Sequence, residues 1–307
     1  MSGEGVGDYE AEDIRKIVSR ILSDLGNPEP PLKLPEVRAL LGLNLGYYST
    51  ANTTLLQDVA ARLTVAGKQI LARPMLLVEA VTKAKLSALW VPDTKRILID
   101  ETVPKPKHRW IEGHEVGHSV IPWHRQFLFG DNEFTLDPAC HAAIEAEANF
   151  GAAQMLFLQN RFAQEARDSA LEFKAITGLA KRFGNTLTTT FWRMIEDRDP
   201  NAAVFGMVTA HPRYPEIGSG DNGEPIRYFI RSRAFREMFG HVTPEAAFAL
   251  IERNATHKKK GPVFDAMEVL SNSNREACEF QLESFCNTHA LLTIGMFVRL
   301  RPAFART

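Results

Sequence analysis

The stretch GHEVGHSVIPWH, at residues 113–124, restricts the fold more than any other part of the chain. It places a glutamate between two histidines that are four positions apart, His114 and His118. On a helix, side chains at that spacing lie next to each other on one face. Pro122 lacks a backbone N–H and should end this helix. The stretch therefore predicts one helix that presents two imidazoles side by side.

Two imidazoles on one helix face lie within reach of a single metal ion. Glu115 lies beside them, where its carboxylate can take a proton from an attacking water molecule. Zinc suits these residues, because nitrogen and carboxylate ligands can fill three tetrahedral positions and leave the fourth for water. The pattern thus indicates a catalytic zinc site, against the alternative of a surface helix with incidental histidines.

Two parts of the chain offer a candidate for the third metal ligand. His124 would complete the pattern H-E-x-x-H-x-x-G-x-x-H, but Ile121 stands at the glycine position, and a β-branched residue resists positive φ. The alternative is Glu145 or Glu147 on the next long helix, where they point to opposite sides and only one can face the metal. Asn149 lies one turn after Glu145, where its amide can orient a ligand histidine.

Composition limits the functional classes that this chain can belong to. It has 307 residues, 45% hydrophobic residues and a formal net charge of -1, so no global charge favours nucleic acid or a membrane surface. Three irregularly spaced cysteines fit a reducing compartment. The N-terminus lacks the apolar region of a secretion signal, and no run of about 18 apolar residues occurs. We therefore expect a cytoplasmic protein with no membrane segment.

Apolar spacing predicts helices at 9–25 and 34–42 and a mostly helical pattern around 55–84. Between residues 86 and 101, LSALWV, PDTK and RILIDE read as strand, turn and strand, a hairpin whose edge at 86–91 could pair with an extended substrate.

A long helix is predicted over 136–162, capped by Asp137 and Pro138. Helix, turn and helix follow to residue 196, and β-strands dominate from Asn201, including a hairpin of EACEFQLESF and ALLTIGMFV. We therefore predict an α+β fold with a mainly helical domain over 1–198 and a β-rich domain over 199–307.

Two motifs in this chain resemble those of the ImmA/IrrE family of zinc metallo-endopeptidases. That family has an aromatic residue four positions ahead of H-E-x-G-H, then E-x-x-A-N-x-F-A-A-x-L-L-M-P. Here Trp110 is the aromatic residue, and the second motif begins at Glu145 and continues with Ala148 and Asn149. Gly151 replaces the expected aromatic residue. The resemblance covers roughly residues 30–195.

The resemblance implies a zincin-type metallopeptidase domain with a small β-sheet. One Zn²⁺ per chain would be held by His114, His118 and Glu145, with Glu115 as the catalytic base and Asn149 supporting a ligand. The tetrahedral oxyanion of peptide hydrolysis needs a further hydrogen-bond donor. The sequence does not choose among three candidates for that donor: His124, His141 and Arg109.

The family further implies that the substrate is a helix-turn-helix transcriptional repressor, cut in a stress or mobile-element response. Residues 175–196 resemble part of a helix-turn-helix. We expect this segment to pack on the core rather than bind DNA, because only three threonines and Arg193 offer obvious contacts. The β-rich part faintly resembles a GAF-like sensor domain, which suggests small-molecule or signal sensing. The alternatives are a non-catalytic regulator and a DNA-binding transcription factor.

Overall fold

The structure is a computed structural model that describes five stretches of the chain: residues 6–48, 88–91, 95–124, 138–220 and 223–301. Within these stretches it has nine helices and two β-sheets, in agreement with the predicted α+β class. The helical pattern expected around 55–84 lies outside the described residues. None of the helices in the described stretches is both long and apolar enough to span a bilayer.

The chain divides into two compact units, and the first comprises residues up to 160 together with 182–185. Its helices and strands, in chain order, are α1 Asp8–Asp24, α2 Leu34–Leu41, β1 Asn44–Tyr48, β2 Ala88–Val91, β3 Arg96–Asp100, α3 Lys105–Val120 and α4 Pro138–Leu156. Ile14 and Val18 of α1, which the sequence places at helical spacing, are fully buried.

The three-stranded sheet of this unit has the order β1-β3-β2. β2 and β3 form the predicted antiparallel hairpin, and β1, which the sequence analysis did not predict, joins β3 in parallel. Ile97, Leu98 and Ile99 of β3 are fully buried, as expected for a central strand covered on both faces. Among the described strands, β2 therefore lies at one edge of the sheet.

Helices α3 and α4 approach each other closely at small residues. A Cβ placed on Gly117 would lie 2.7 Å from the carbonyl oxygen of Ala148. On the next turn of α4, a Cβ on Gly151 would meet Ile14 of α1 at 3.5 Å and the Cα of Gly117 at 3.8 Å. The glycine that departs from the family motif thus lies where three helices meet.

We expect Gly117→Ala to lower the urea midpoint of unfolding, with a destabilisation of about 1–3 kcal/mol. The added methyl group would meet a backbone oxygen, which cannot rotate away, so the two helices would have to separate. The matched control is Gly178→Ala, because a Cβ there meets nothing within 4 Å. That control should leave stability unchanged or raise it by up to about 1 kcal/mol. Equal midpoints for both variants would contradict the close approach.

The second unit comprises residues 161–181 and 186 onward. The elements from residue 160 onward are α5 Asn160–Arg167, α6 Phe173–Phe183, α7 Leu187–Asp197, β4 Val204–Thr209, β5 Ile226–Arg231, α8 Arg233–Phe239, α9 Pro244–Asn254, β6 Gly261–Ser271, β7 Ala277–Cys286 and β8 Leu291–Leu300. The division near residue 160 differs from the boundary expected at 198. The physical reason is that α7 packs on the sheet: a Cβ on Gly206 would lie 2.8 Å from Phe191 and from Ile195.

The sheet of the second unit is antiparallel, with the order β5-β4-β8-β7-β6. Its β7–β8 pair is the predicted hairpin, whereas β6, α8 and α9 were not predicted. Adjacent residues of a strand point to opposite faces. Gly206 therefore lies on the face covered by α7, and Phe205 lies on the other face. There the centroid of the Phe205 ring is 5.3 Å from that of Phe235 in α8 and 6.0 Å from that of Phe280 in β7.

α6 and α7 form the helix–turn–helix expected at 175–196, and α7 begins at a Thr186 cap that accepts a hydrogen bond from the backbone N–H of Thr189. The polar residues considered for DNA contact are mostly internal. Thr189, Thr190 and Arg193 are buried, and the Arg193 guanidinium pairs with Asp197. These positions favour a packing role for α7.

Burial raises the pKa of Glu196 in α7 to about 7, against the opposing charge of Arg193. The folded-state pKa thus lies above the ordinary value of 4.5, so the folded protein prefers the protonated carboxyl. The associated stability is present below about pH 4.5 and is lost as pH rises through about 7. We expect Glu196→Gln to gain stability relative to the parent over this interval in urea unfolding. The exposed Glu252→Gln should show no such trend, and a pH-independent difference for Glu196→Gln would contradict the assignment.

Candidate metal centre

The first unit brings together the three residues expected to bind metal. Nε2 of His114 and Nε2 of His118, both on α3, lie 3.1 Å apart. The Glu145 carboxylate of α4 lies 3.2 Å from the first of these nitrogens and 3.4 Å from the second. The three ligand atoms are therefore close enough to hold one metal ion. The close packing of α3 on α4 at Gly117 is what brings the two helices to this distance.

Asn149 lies behind His114 as expected from its position one turn after Glu145. Its Oδ1 is 3.1 Å from Nδ1 of His114. With this oxygen as acceptor, His114 carries its proton on Nδ1 and presents the lone pair of Nε2 toward His118 and Glu145. The amide thus sets both the orientation and the tautomer of the imidazole.

His118 has a longer chain of partners, which the sequence analysis did not identify. Its Nδ1 lies 3.0 Å from Nδ1 of His124, whose ring is fully buried. The other nitrogen of His124 lies 2.8 Å from Oε2 of Glu147, and the same oxygen accepts a hydrogen bond from the Trp123 indole at 2.6 Å. Glu147, which the sequence analysis treated as an alternative ligand or a solvated residue, is therefore a buried partner of His124.

His124 lies behind His118 rather than in the ligand cluster. Both of its ring nitrogens are engaged, one by His118 and one by Glu147, so the structure leaves neither free to serve as third ligand or as donor to an oxyanion. Burial, followed by the nearby His118, lowers the pKa of His124 to about 3, so the ring is neutral at physiological pH.

The turn after α3 explains why the chain has no glycine at position 121. Ile121 has φ −81° and ψ 111°, an extended conformation that a β-branched residue adopts readily. The backbone N–H of His124 then bonds the carbonyl of Ile121 at 3.2 Å. This turn directs His124 back beneath α3, and the positive φ expected for the H-E-x-x-H-x-x-G-x-x-H pattern is not needed.

The remaining two candidate donors have different positions. Arg109 donates hydrogen bonds to Oδ1 of Asn185 at 3.2 Å and to the carbonyl of Phe183 at 3.3 Å, so its guanidinium is directed to the 183–185 turn. His141 lies within α4, but its side chain is outside the described residues. The structure therefore gives no support to Arg109 as the oxyanion donor and leaves His141 as a prediction.

The two carboxylates beside the histidines have pKa values shifted in opposite directions. Burial raises the pKa of Glu115, and the nearby His114 and His118 oppose it only in part. Burial also acts on Glu145, but the adjacent His114 and His118 outweigh burial and hold its pKa far below the usual range. The two adjacent carboxyl groups thus differ in their affinity for a proton: Glu145 is held ionised, whereas Glu115 is protonated more readily.

Two groups outside the sequence motifs lie close to Glu115. The backbone N–H of Trp90, in edge strand β2, donates a hydrogen bond to the Glu115 carboxylate. Burial, followed by the charges of Asp100 and Glu115, raises the pKa of Tyr48 to about 12, so its hydroxyl remains protonated. Tyr48 ends β1, and no motif in the sequence singles it out.

Comparisons with known proteins give one informative likeness. No protein-family model matches the chain, and no curated protein matches it. The solved structure of a Mycobacterium tuberculosis transcriptional regulator is similar, with a TM-score of 0.54 and 12% sequence identity. The likeness covers 94% of this chain and 76% of that one. At this identity it shows a shared fold alone.

We expect the cluster to bind one divalent ion per chain in a titration with Zn²⁺ or Co²⁺. Glu145→Gln should weaken binding by more than the roughly 10- to 100-fold that loss of an outer partner causes, because it removes a direct ligand. Glu101→Gln, an exposed carboxylate of the same unit, is the control and should bind as the parent does. Equal affinities for the two variants would exclude Glu145 as a ligand.

Proposed function

We propose that this chain is a zinc-dependent cytoplasmic endopeptidase of the ImmA/IrrE type that cleaves a helix-turn-helix transcriptional repressor. The observation that carries the proposal is the convergence of His114, His118 and Glu145 beside a buried glutamate, Glu115. The three ligand residues and the base Glu115 lie in the two motifs that resemble those of the family. The choice of a repressor as substrate rests on that resemblance.

The spacing of the three ligand atoms suits zinc in particular. Zinc binds nitrogen and carboxylate oxygen at about 2.0–2.2 Å, so two atoms of a tetrahedral site lie about 3.3–3.5 Å apart. In the cluster the two Nε2 atoms lie 3.1 Å apart, Oε2 of Glu145 lies 3.2 Å from Nε2 of His114, and Oε1 of Glu145 lies 3.4 Å from Nε2 of His118. Three protein ligands leave the fourth position open, which is typical of catalytic rather than structural zinc.

The reaction assigned to this site is hydrolysis of a peptide bond. A bound zinc ion supplies Lewis acidity for the scissile carbonyl and the attacking water. Glu115 takes the proton of that water as attack occurs and passes it to the departing amine. A carboxyl group with a raised pKa is suited to this exchange, because it binds a proton more readily than an ordinary glutamate does.

Edge strand β2 offers a place for the substrate backbone. One side of β2 pairs with β3, and the N–H of Trp90 bonds the Glu115 carboxylate. An extended peptide that pairs with the edge of β2 opposite β3 would run past the catalytic base. Main-chain pairing of this kind accepts many side chains, so selectivity for a repressor would come from other parts of the surface.

The competing proposal is a regulator that acts by binding rather than cleavage. It is favoured by the shared fold with a transcriptional regulator. A DNA-binding version has little support in α7, where Arg193 is buried and paired with Asp197. The GAF-like sensor role of the β-rich unit belongs to either proposal, and its five-stranded antiparallel sheet between two helical layers is the feature that supports it.

The decisive experiment compares the parent, Glu115→Gln and Glu101→Gln after loading with zinc. Each is incubated with a peptide library made from bacterial proteins, and new termini are identified by mass spectrometry. We expect the parent and Glu101→Gln to cleave, and Glu115→Gln to keep its zinc but cleave about 10²–10⁴-fold more slowly, because the proton acceptor is lost.

Two other results would replace the proposal. Zinc binding without cleavage by the parent, even against purified helix-turn-helix repressors, would favour the binding regulator. DNA binding whose affinity falls steeply with salt concentration and is unchanged by a metal chelator would favour the DNA-binding regulator.

A further inference from the structure

We propose that Glu147 and His124 form a hydrogen-bond relay that fixes the tautomer of His118 and strengthens it as a metal ligand. This inference rests on the proposed zinc site and assigns positioning roles to two residues outside its ligand set. Glu147, His124 and His118 are linked by separations of 2.8 Å and 3.0 Å, and the middle ring is fully buried.

The direction of the hydrogen bonds follows from the chemistry of Trp123. An indole N–H can only donate, so Oε2 of Glu147 acts as an acceptor at 2.6 Å. His124 approaches the same oxygen and donates from Nε2 to the carboxylate. A neutral imidazole carries one N–H, so Nδ1 of His124 is left as an acceptor. His118 must then donate from its own Nδ1.

This direction decides whether the site can take a metal. With the proton of His118 on Nδ1, the lone pair of Nε2 faces His114 and Glu145. Were every bond of the relay reversed, His118 would carry its proton on Nε2, directed at the ligand cluster, and could not coordinate. The relay therefore selects the coordinating tautomer before any ion arrives.

The two ligand histidines are supported unequally. The neutral amide of Asn149 accepts from His114, whereas the acceptor for His118 is an imidazole that is itself bonded to a carboxylate. A carboxylate behind a ligand histidine raises its basicity. The Glu147 side chain is only 10% exposed, so water screens its charge little. His118 is therefore the stronger donor of the pair.

The test measures zinc affinity by competition with a chromophoric chelator. We expect His124→Phe to lower the affinity about 10- to 100-fold, because its ring can accept no hydrogen bond from His118. His124→Gln restores an acceptor and should recover most of the affinity. The zinc affinity of Glu147→Gln should lie between those of the parent and His124→Phe. The amide oxygen can keep both hydrogen bonds but lacks the charge. The control is Ser119→Ala, a buried polar residue next to His118 that bonds only the Val116 carbonyl.

A second measurement separates the relay from a general packing effect. In nitrogen-15 spectra of the metal-free protein, His118 should carry its proton on Nδ1 in the parent and in His124→Gln, but shift toward Nε2 in His124→Phe. A mere packing role would leave this tautomer unchanged. If His124→Phe does not fold, Glu147→Leu carries the same comparison, because His124 then has no acceptor for the proton on its Nε2.

Unchanged affinity and an unchanged tautomer in the folded relay variants would overturn the inference. That failure is distinct from failure of the proposed function. A parent that binds no zinc would remove the metal site, while a parent that binds zinc without cleaving peptides would leave the relay intact.

Discussion

The close approach of α3 and α4 is the constraint on which the candidate site depends. Gly117 leaves room for the Ala148 backbone, and that contact sets Glu145 opposite the two histidines. It also sets Asn149 and Glu147, on either side of Ala148, against different partners. Two helices thus supply the ligand atoms and the groups that orient them. A change in their spacing would therefore disturb the ligands and their support together.

Electrostatics then assign separate tasks to similar groups. Glu145 and Glu115 are both carboxylates within reach of the same histidines, yet the pKa of one is lowered and that of the other is raised. The difference is structural: the Glu145 carboxylate lies within 3.4 Å of both imidazoles, which outweigh its burial, whereas burial dominates at Glu115. Similarly, His114 and His118 face one point but have an amide and an imidazole behind them. The differences in function that we propose arise from the second layer of residues.

Much of the site was predictable because its spacing is local. His114 and His118 follow from helical periodicity, and Asn149 from its position one turn after Glu145. The contact of Glu147 with His124 was not predictable, because it depends on the turn after α3 that returns His124 beneath this helix. Tyr48, whose pKa the charge of Glu115 helps to raise, is placed by the parallel β1–β3 pairing, which has no local signal in the sequence. The compact units divide near residue 160, whereas the sequence places a domain boundary at 198, because the packing of α7 on the sheet has no local signal in the sequence.

The phenylalanines on the face of the second sheet opposite α7 restrict how the second unit could respond to a signal. Phe205 lies over Gly295, where a Cβ would come within 2.0 Å of its ring, and the surrounding space is filled by Phe235, Phe239 and Phe280. The interior of this unit on that face of the sheet is thus occupied by its own side chains. A metabolite could lodge here only by pushing aromatic rings and α8 outward. Binding of a small molecule at this position would therefore displace a helix of the unit.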